Sequence, residues 1–80
     1  MLENMEEEKI VGLRQSLKAI EAGEAAAVYI ARDSEEKIIR DVVNLCKAHS
    51  VEVRYSESKK QLGQDAGIEI GAAVVCILKK

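Results

Sequence analysis

The hydrophobic positions of this chain follow a helical period in three segments. The first predicts a helix that begins at Leu13 and ends near Gly23, because its apolar residues fall on one face. The third is a short helix with Leu62 and Ala66 directed inward. The second segment predicts a helix with a wide apolar face suited to packing on a sheet. This face consists of Ile38, Ile39, Val42, Val43, Leu45 and Cys46.

Polar residues before the second and third helices predict where these helices start. Ser34 is expected to cap the second helix, since a serine side chain can accept a hydrogen bond from a free N–H group of the first turn. Ser58 and Gln61 form an S-x-x-Q capping box for the third helix. Gly67 is expected to end that helix with a positive φ.

Four segments have the patterns of strands. Lys9–Val11 predicts a very short strand, and 27–31 predicts a buried one. Apolar and polar residues alternate over 51–56, which predicts a strand with one face inward and one outward. The continuous apolar run 72–78 predicts a central strand covered on both faces, and 68–71 is expected to be a loop before it.

The predicted order is strand, helix, strand, helix, strand, helix, strand, which indicates an α/β fold with one sheet and helices on both of its faces. The 80 residues are too few to bury two separate cores. We therefore expect a single domain over residues 9–80, preceded by an acidic lead-in over residues 1–8.

The net charge of −2 does not exclude a nucleic-acid partner, because the acidic residues are unevenly distributed. The chain has 14 acidic and 12 basic side chains, and the first eight residues contain Glu3, Glu6, Glu7 and Glu8. The rest of the chain is thus slightly cationic. The charge of one face, not the net charge, decides the class of partner.

No segment has the length of a membrane span, and the first residues are acidic where a signal peptide is basic. We therefore expect a cytoplasmic protein without a membrane partner. Cys46 and Cys76 are far apart in the chain and belong to no CxxC pair, so they are predicted to be buried free thiols.

Residues with catalytic chemistry are scarce. His49, the only histidine, is predicted to lie in the C-terminal turn of the second helix, and no third group accompanies it and Cys46 to form a catalytic set. Gly63, Gly67 and Gly71 lack the spacing of a pyrophosphate-binding turn. We predict no enzyme activity, no metal and no cofactor. The two tyrosines are also too few for a platform that stacks several bases.

Three stretches in order resemble one family. VGLRQSLKAIEAG (11–23), SKKQLGQDAGIEIGAA (58–73) and the apolar strand after them are similar to the ribosomal kink-turn RNA-binding family, which includes the archaeal large-subunit protein L-seven-A-e. VYIARD (28–33) occupies the place of the family strand that ends in an acidic residue. The resemblance implies a three-layer α-β-α sandwich with a four-stranded mixed sheet. It also implies a ligand, RNA that bends sharply at a bulge beside tandem sheared G·A pairs.

The resemblance further implies that the first helix enters the groove at the G·A pairs. Gly12 matches the glycine at which backbone approaches RNA, and Lys18 matches the family lysine. Arg14 and Gln15 stand where archaeal members carry asparagine and glutamate, and they look like the bacterial form of this motif. Arginine can donate to guanine O6 and N7, and glutamine offers a donor and an acceptor to base edges.

The second motif of the family implies further RNA contacts. The resemblance makes at least one of Lys59 and Lys60 a phosphate contact, and the alternative is that both are solvated surface residues. The loop Ile68, Glu69 and Ile70 matches the segment around the extruded nucleotide. We expect Glu69 to be exposed beside Gln15 and Lys18.

The predicted function is therefore recognition of structured kink-turn RNA by a monomer that is ribosome-associated or similar to a ribosomal protein, with ribosomal RNA as one candidate and no DNA expected. A protein-interaction or regulatory module on the same fold is the alternative, because fold alone does not determine function.

Overall fold

A computed structural model describes residues 8–79 of the chain. It contains the predicted seven elements in the predicted order: β1 (Lys9–Val11), α1 (Leu13–Glu21), β2 (Ala25–Ala31), α2 (Glu36–Ala48), β3 (Glu52–Ser56), α3 (Lys59–Asp65) and β4 (Val74–Leu78). Except for Glu8, which is exposed, the predicted acidic lead-in lies outside the described residues.

The four strands form one mixed sheet in the order β1-β4-β2-β3. β4 is antiparallel to both β1 and β2, whereas β2 and β3 are parallel. Val11 pairs with Val75, and Ala31 pairs with Ser56. The C-terminal ends of β1, β2 and β3 therefore meet the N-terminal end of β4 at one edge of the sheet, here called the upper edge, and each of the three helices begins there.

Both faces of the sheet are covered, as predicted. Alternate residues of β2 and β4 pack against different helices because successive side chains of a strand point to opposite faces. On one face they contact α1 and α2 in a core of Ala19, Ile20, Ala25, Val28, Ile30, Val42, Cys46, Val74 and Cys76. On the other face they contact α3 in a core of Ala27, Tyr29, Ala31, Leu62, Ala66, Val75 and Ile77. The three-layer α-β-α sandwich is confirmed.

Several predicted element ends need correction. Ser34 does not cap α2, because Glu35 occupies the N-cap position and makes no side-chain cap hydrogen bond. The Ser34 amide instead donates to the Ala31 carbonyl at 3.1 Å in a turn after β2. β2 starts earlier than predicted, at Ala25, since an irregularity near Ala26 still lets it pair with β4. β4 itself starts at Val74, after the predicted run begins.

The capping box of α3 forms only in part. The Gln61 amide donates to Ser58 Oγ at 3.0 Å, as predicted. The Gln61 side chain, however, donates to Asp65 Oδ1 at 2.9 Å one turn later. Gly67 has the predicted positive φ, 83°.

The thiols of Cys46 and Cys76 are free and buried, as predicted. Burial raises the pKa of both thiols, and that of Cys76 reaches about 11. Both side chains therefore carry the neutral thiol at physiological pH and pack as small apolar groups. His49 is the C-cap of α2, as predicted.

None of the helices within residues 8–79 is long and apolar enough to cross a membrane.

Candidate nucleic-acid interface

The upper edge of the sheet is held together by backbone hydrogen bonds between neighbouring strand ends. The Gly12 amide donates to the Val74 carbonyl at 3.0 Å, and the Ala31 amide donates to the Ala73 carbonyl at 2.9 Å. The Arg32 amide donates to the Ser56 carbonyl, also at 2.9 Å. These bonds join the start of α1, the segment before β4, the turn after β2 and the end of β3 into one continuous surface.

Gly12 directly precedes α1, and its backbone conformation is one that favours glycine. Its φ is 122°, in a region that L side chains rarely adopt. An added Cβ would also lie 3.0 Å from Oε1 of Gln15. The side chain of Gln15 thus lies beside the Gly12 backbone, where the resemblance places close approach of RNA.

The exposed side of α1 is polar and has no acid in its first turn. Arg14, Gln15 and Lys18 are all exposed. Gln15 and Lys18 flank the same depression of about 290 Å³, which Ile10, Ala19, Ala22 and the acidic Glu24 also line. The positive end of the α1 dipole and two cations therefore face solvent from one helix, an arrangement that favours an anionic ligand.

The start of α3 is fixed by two side-chain acceptors. Ser58 accepts from Gln61, and Asp33 Oδ1 accepts from the Lys59 amide at 2.8 Å. The first turn of α3 contains no acid, and Lys59 and Lys60 are exposed. Asp33 therefore joins the turn after β2 to the helix that carries both lysines.

The loop 68–71 packs directly on α3 through two glycines. A Cβ at Gly63 would overlap the Ile70 carbonyl oxygen, and a Cβ at Gly71 would lie 3.3 Å from backbone atoms of Lys59. The Ala72 amide donates to the Lys59 carbonyl at 3.0 Å. Because these contacts are with backbone, the position of the loop depends on the absence of side chains at both glycines.

The side chains of this loop divide between the core and solvent. Ile68 is half-buried and packs against the core on the α3 face, whereas Ile70 is 75% exposed. Glu69 is exposed, as expected, although its predicted position beside Gln15 and Lys18 stays a prediction. Ile70 is thus the apolar side chain of the loop that is free to contact a ligand.

The structure adds to this candidate interface side chains to which the sequence prediction gave no role. The acidic residue Asp33 was matched to a family position without a role, and its contact with Lys59 joins segments distant in the chain. The alternation over 51–56 places Tyr55 with Val51 and Val53 on the face predicted to point inward, but this prediction is wrong for Tyr55, which is 46% exposed. Arg32 lies over the Tyr55 ring, 5.1 Å from its centroid. No local pattern in the sequence indicates either contact.

Replacement of Asp33 by alanine is expected to lower the free energy of unfolding by about 1 kcal/mol, because the Lys59 amide loses its acceptor at the start of α3. Asparagine at this position should retain most of the stability, since its amide oxygen can still accept. Urea unfolding followed by circular dichroism measures both values.

Asp65→Ala is the matched control for Asp33→Ala. It removes a carboxylate from α3 itself but only an exposed hydrogen bond from the Gln61 side chain, worth about 0.2–0.5 kcal/mol. Equal destabilisation by the two alanine variants would contradict the capping role of Asp33.

Within residues 8–79, no group of three or more His, Cys, Asp or Glu side chains is arranged to hold a metal ion.

Comparison with known protein families gives one match over nearly the whole chain. The model of the ribosomal protein L7Ae/L30e/S12e/Gadd45 family matches residues 3–80. Among individual proteins, an RNA-binding protein of Caldanaerobacter subterraneus subsp. tengcongensis is 36% identical over 73 residues, which cover 91% of this chain and 89% of that protein. The RNA-binding protein YbxF of Geobacillus stearothermophilus is 36% identical over 70 residues, with coverage of 88% and 85%.

Solved structures share the fold. A 15.5 kD RNA binding protein from Giardia lamblia has a TM-score of 0.83 and 26% identity, over 90% of this chain and 61% of that one. A protein of unknown function from Bacillus halodurans has the same TM-score at 18% identity, over 89% and 71% of the two chains. At 18% identity, the similarity to the Bacillus halodurans protein shows the fold alone.

Proposed function

Because this chain belongs to the ribosomal protein L7Ae/L30e/S12e/Gadd45 family, we propose that it is a non-catalytic RNA-binding protein and that its ligand is a kink-turn with tandem sheared G·A pairs. The proposal is supported most by the arrangement of the upper edge. The start of α1, the start of α3 and the loop 68–71 are joined there by backbone hydrogen bonds, and most of the predicted contact residues lie on these three segments. Curated relatives that cover nearly the whole chain carry the name RNA-binding protein, which supports the same ligand class.

In the proposed complex, the first turn of α1 reads the G·A pairs. Gly12 lets the backbone approach the RNA because no Cβ intervenes. Arg14 donates to guanine O6 and N7, and Gln15 pairs with a base edge through its amide. Lys18 lies about 6 Å beyond Arg14 along the axis of α1 and neutralises phosphate.

The loop 68–71 and the start of α3 bind the bulge in this proposal. Ile70 contacts the extruded base with its exposed side chain, and the Glu69 carboxylate accepts from the donors of that base. Lys59 and Lys60 contact phosphate beside the positive end of α3. The loop and the lysines keep a fixed spacing because the Lys59 carbonyl accepts from the Ala72 amide.

The proposal is tested by a titration at one fixed, physiological salt concentration. The protein is titrated against a kink-turn RNA and against the same RNA with Watson–Crick pairs in place of the G·A pairs. We expect the kink-turn RNA to bind at least about 30-fold more tightly, since two pairs worth about 1–3 kcal/mol each are changed. Equal affinities would contradict the proposal, and absence of binding to both RNAs would favour an interaction module on the same fold.

A further inference from the structure

We propose that Tyr55, supported by Arg32, stacks on one unpaired base of the bound RNA and so extends the interface beyond α1, α3 and the loop 68–71. This inference rests on the proposed function. It adds a contact to which the motifs that resemble the family assign no residue.

Tyr55 is an aromatic residue whose side chain is largely exposed to solvent. The chain contains two tyrosines and no other aromatic residue. Tyr29 is 7% exposed and belongs to the core, whereas Tyr55 is 46% exposed on the edge strand β3. An exposed ring forgoes the stabilising free energy that burial of its apolar surface would give. Stacking on a base is one way in which RNA-binding proteins use such a ring.

Arg32 and Tyr55 form a pair at the upper edge. The guanidinium lies 5.1 Å from the ring centroid, a cation–π contact that orients the ring. The Arg32 amide donates to the Ser56 carbonyl, and the preceding residue, Ala31, donates to Ala73. The pair is therefore continuous with the segment that leads from the loop 68–71 into β4.

The distance across the sheet is suitable for one RNA molecule. Three strand spacings separate β1 from β3, which is about 14 Å. A sharply bent RNA with its G·A pairs at α1 can therefore place an unpaired nucleotide near β3.

The charges around the pair favour a base over a phosphate. Asp33, Glu35 and Glu36 follow Arg32 within four residues, and Glu57 follows Tyr55 by two; all four are exposed, as are the cations Arg54 and Lys59 within four residues of Tyr55. These carboxylates repel phosphate, whereas the face of an uncharged base has no such penalty. The contact is thus a stacking contact that contributes affinity without release of additional counterions.

The test combines Tyr55→Ala with RNAs that lack single bases. Each unpaired nucleotide of the kink-turn bulge is replaced in turn by an abasic residue, and each RNA is titrated with the wild type and the variant. We expect Tyr55→Ala to bind the intact RNA about 5- to 150-fold more weakly. At one abasic position the two proteins should bind equally, since the partner of the ring is gone.

Salt dependence and conservative variants separate stacking from other effects. Tyr55→Ala should leave the slope of log affinity against log salt unchanged, and Tyr55→Phe should bind like the wild type. Arg32→Ala should weaken binding more than Arg40→Ala, which removes the same charge from an exposed position on α2. Circular dichroism confirms that each variant is folded.

Unchanged affinity in Tyr55→Ala, or equal weakening with every abasic RNA, would overturn the inference. If the wild type itself does not prefer the kink-turn RNA, the proposed function fails first. If the wild type prefers the kink-turn RNA and Tyr55→Ala binds that RNA with the same affinity, the stacking contact alone is refuted.

Discussion

Alanine at both Arg14 and Lys18 is expected to weaken kink-turn binding about 30- to 1,000-fold, which corresponds to about 2–4 kcal/mol. In the proposed complex, Arg14 supplies a bidentate contact with guanine worth about 1–3 kcal/mol, and Lys18 supplies a phosphate contact. Both side chains are exposed on α1, so their truncation removes contacts with RNA and leaves the core of the protein unchanged. A titration at fixed salt, with circular dichroism of the double variant, measures the effect.

Lys47→Ala is the control for this double variant. Lys47 is an exposed cation in the last turn of α2, and α2 begins at the upper edge, so Lys47 lies toward the opposite end of the molecule. We expect its affinity for kink-turn RNA to be close to that of the wild type. Equal losses at Arg14, Lys18 and Lys47 would indicate nonspecific electrostatic binding instead of a defined interface.

The Lys18→Ala single variant should also lower the salt dependence. Removal of one phosphate contact reduces the slope of log affinity against log salt by about 0.7–0.9, because one counterion fewer is released. Loss of affinity without this change would place Lys18 outside the phosphate contacts.

Gly63→Ala is expected to destabilise the protein and to impair RNA binding together. Helix propensity alone would favour alanine by about 1 kcal/mol. The added Cβ, however, would overlap the Ile70 carbonyl oxygen, and relief of such overpacking costs about 1–3 kcal/mol. Displacement of the loop 68–71 from α3 should then weaken kink-turn binding about tenfold or more, because Ile70 and Glu69 lose their positions relative to Lys59.

Gly23→Ala is the control that separates loss of stability from displacement of the loop 68–71. Gly23 has a φ of 75° and open space around its Cα, so alanine there has only a backbone cost of roughly 1–2 kcal/mol. It follows α1 at the end away from the upper edge. Thermal unfolding should therefore show a loss of stability for both variants, whereas titration should show weaker RNA binding for Gly63→Ala only. Wild-type affinity in Gly63→Ala would contradict the role of this glycine in positioning the loop.

The helices and strands were predictable because their patterns are local and repeated. The continuous apolar run before Lys79 predicted a central strand, and β4 indeed lies between β1 and β2 with both faces buried. The predicted cap at Ser34 was wrong because the choice between Ser34 and Glu35 as the N-cap depends on the turn that leaves β2. Such turns depend on strand pairing, which a short stretch of sequence does not specify.

The prediction for Tyr55 failed for a related reason. An alternating pattern indicates which residues share a face of a strand, but it does not indicate how far the covering helices extend over that face. β3 is an edge strand with a neighbouring strand on one side only, and Tyr55, near its end, is exposed. The same position brings it into contact with Arg32.

The sequence by itself determined the order of the elements, the buried faces and the candidate contact residues, because hydrophobic period, glycine placement and family motifs are all properties of neighbouring residues. Only the tertiary structure decided which of these residues share a surface. The hydrogen bond from Lys59 to Asp33, the packing of Gly63 on Ile70 and the Arg32–Tyr55 pair each depend on how separate segments meet at the upper edge. That meeting is set by the mixed sheet, in which β4 returns antiparallel between β1 and β2. Its first residue, Val74, thereby meets the start of α1, and the loop before it packs against α3.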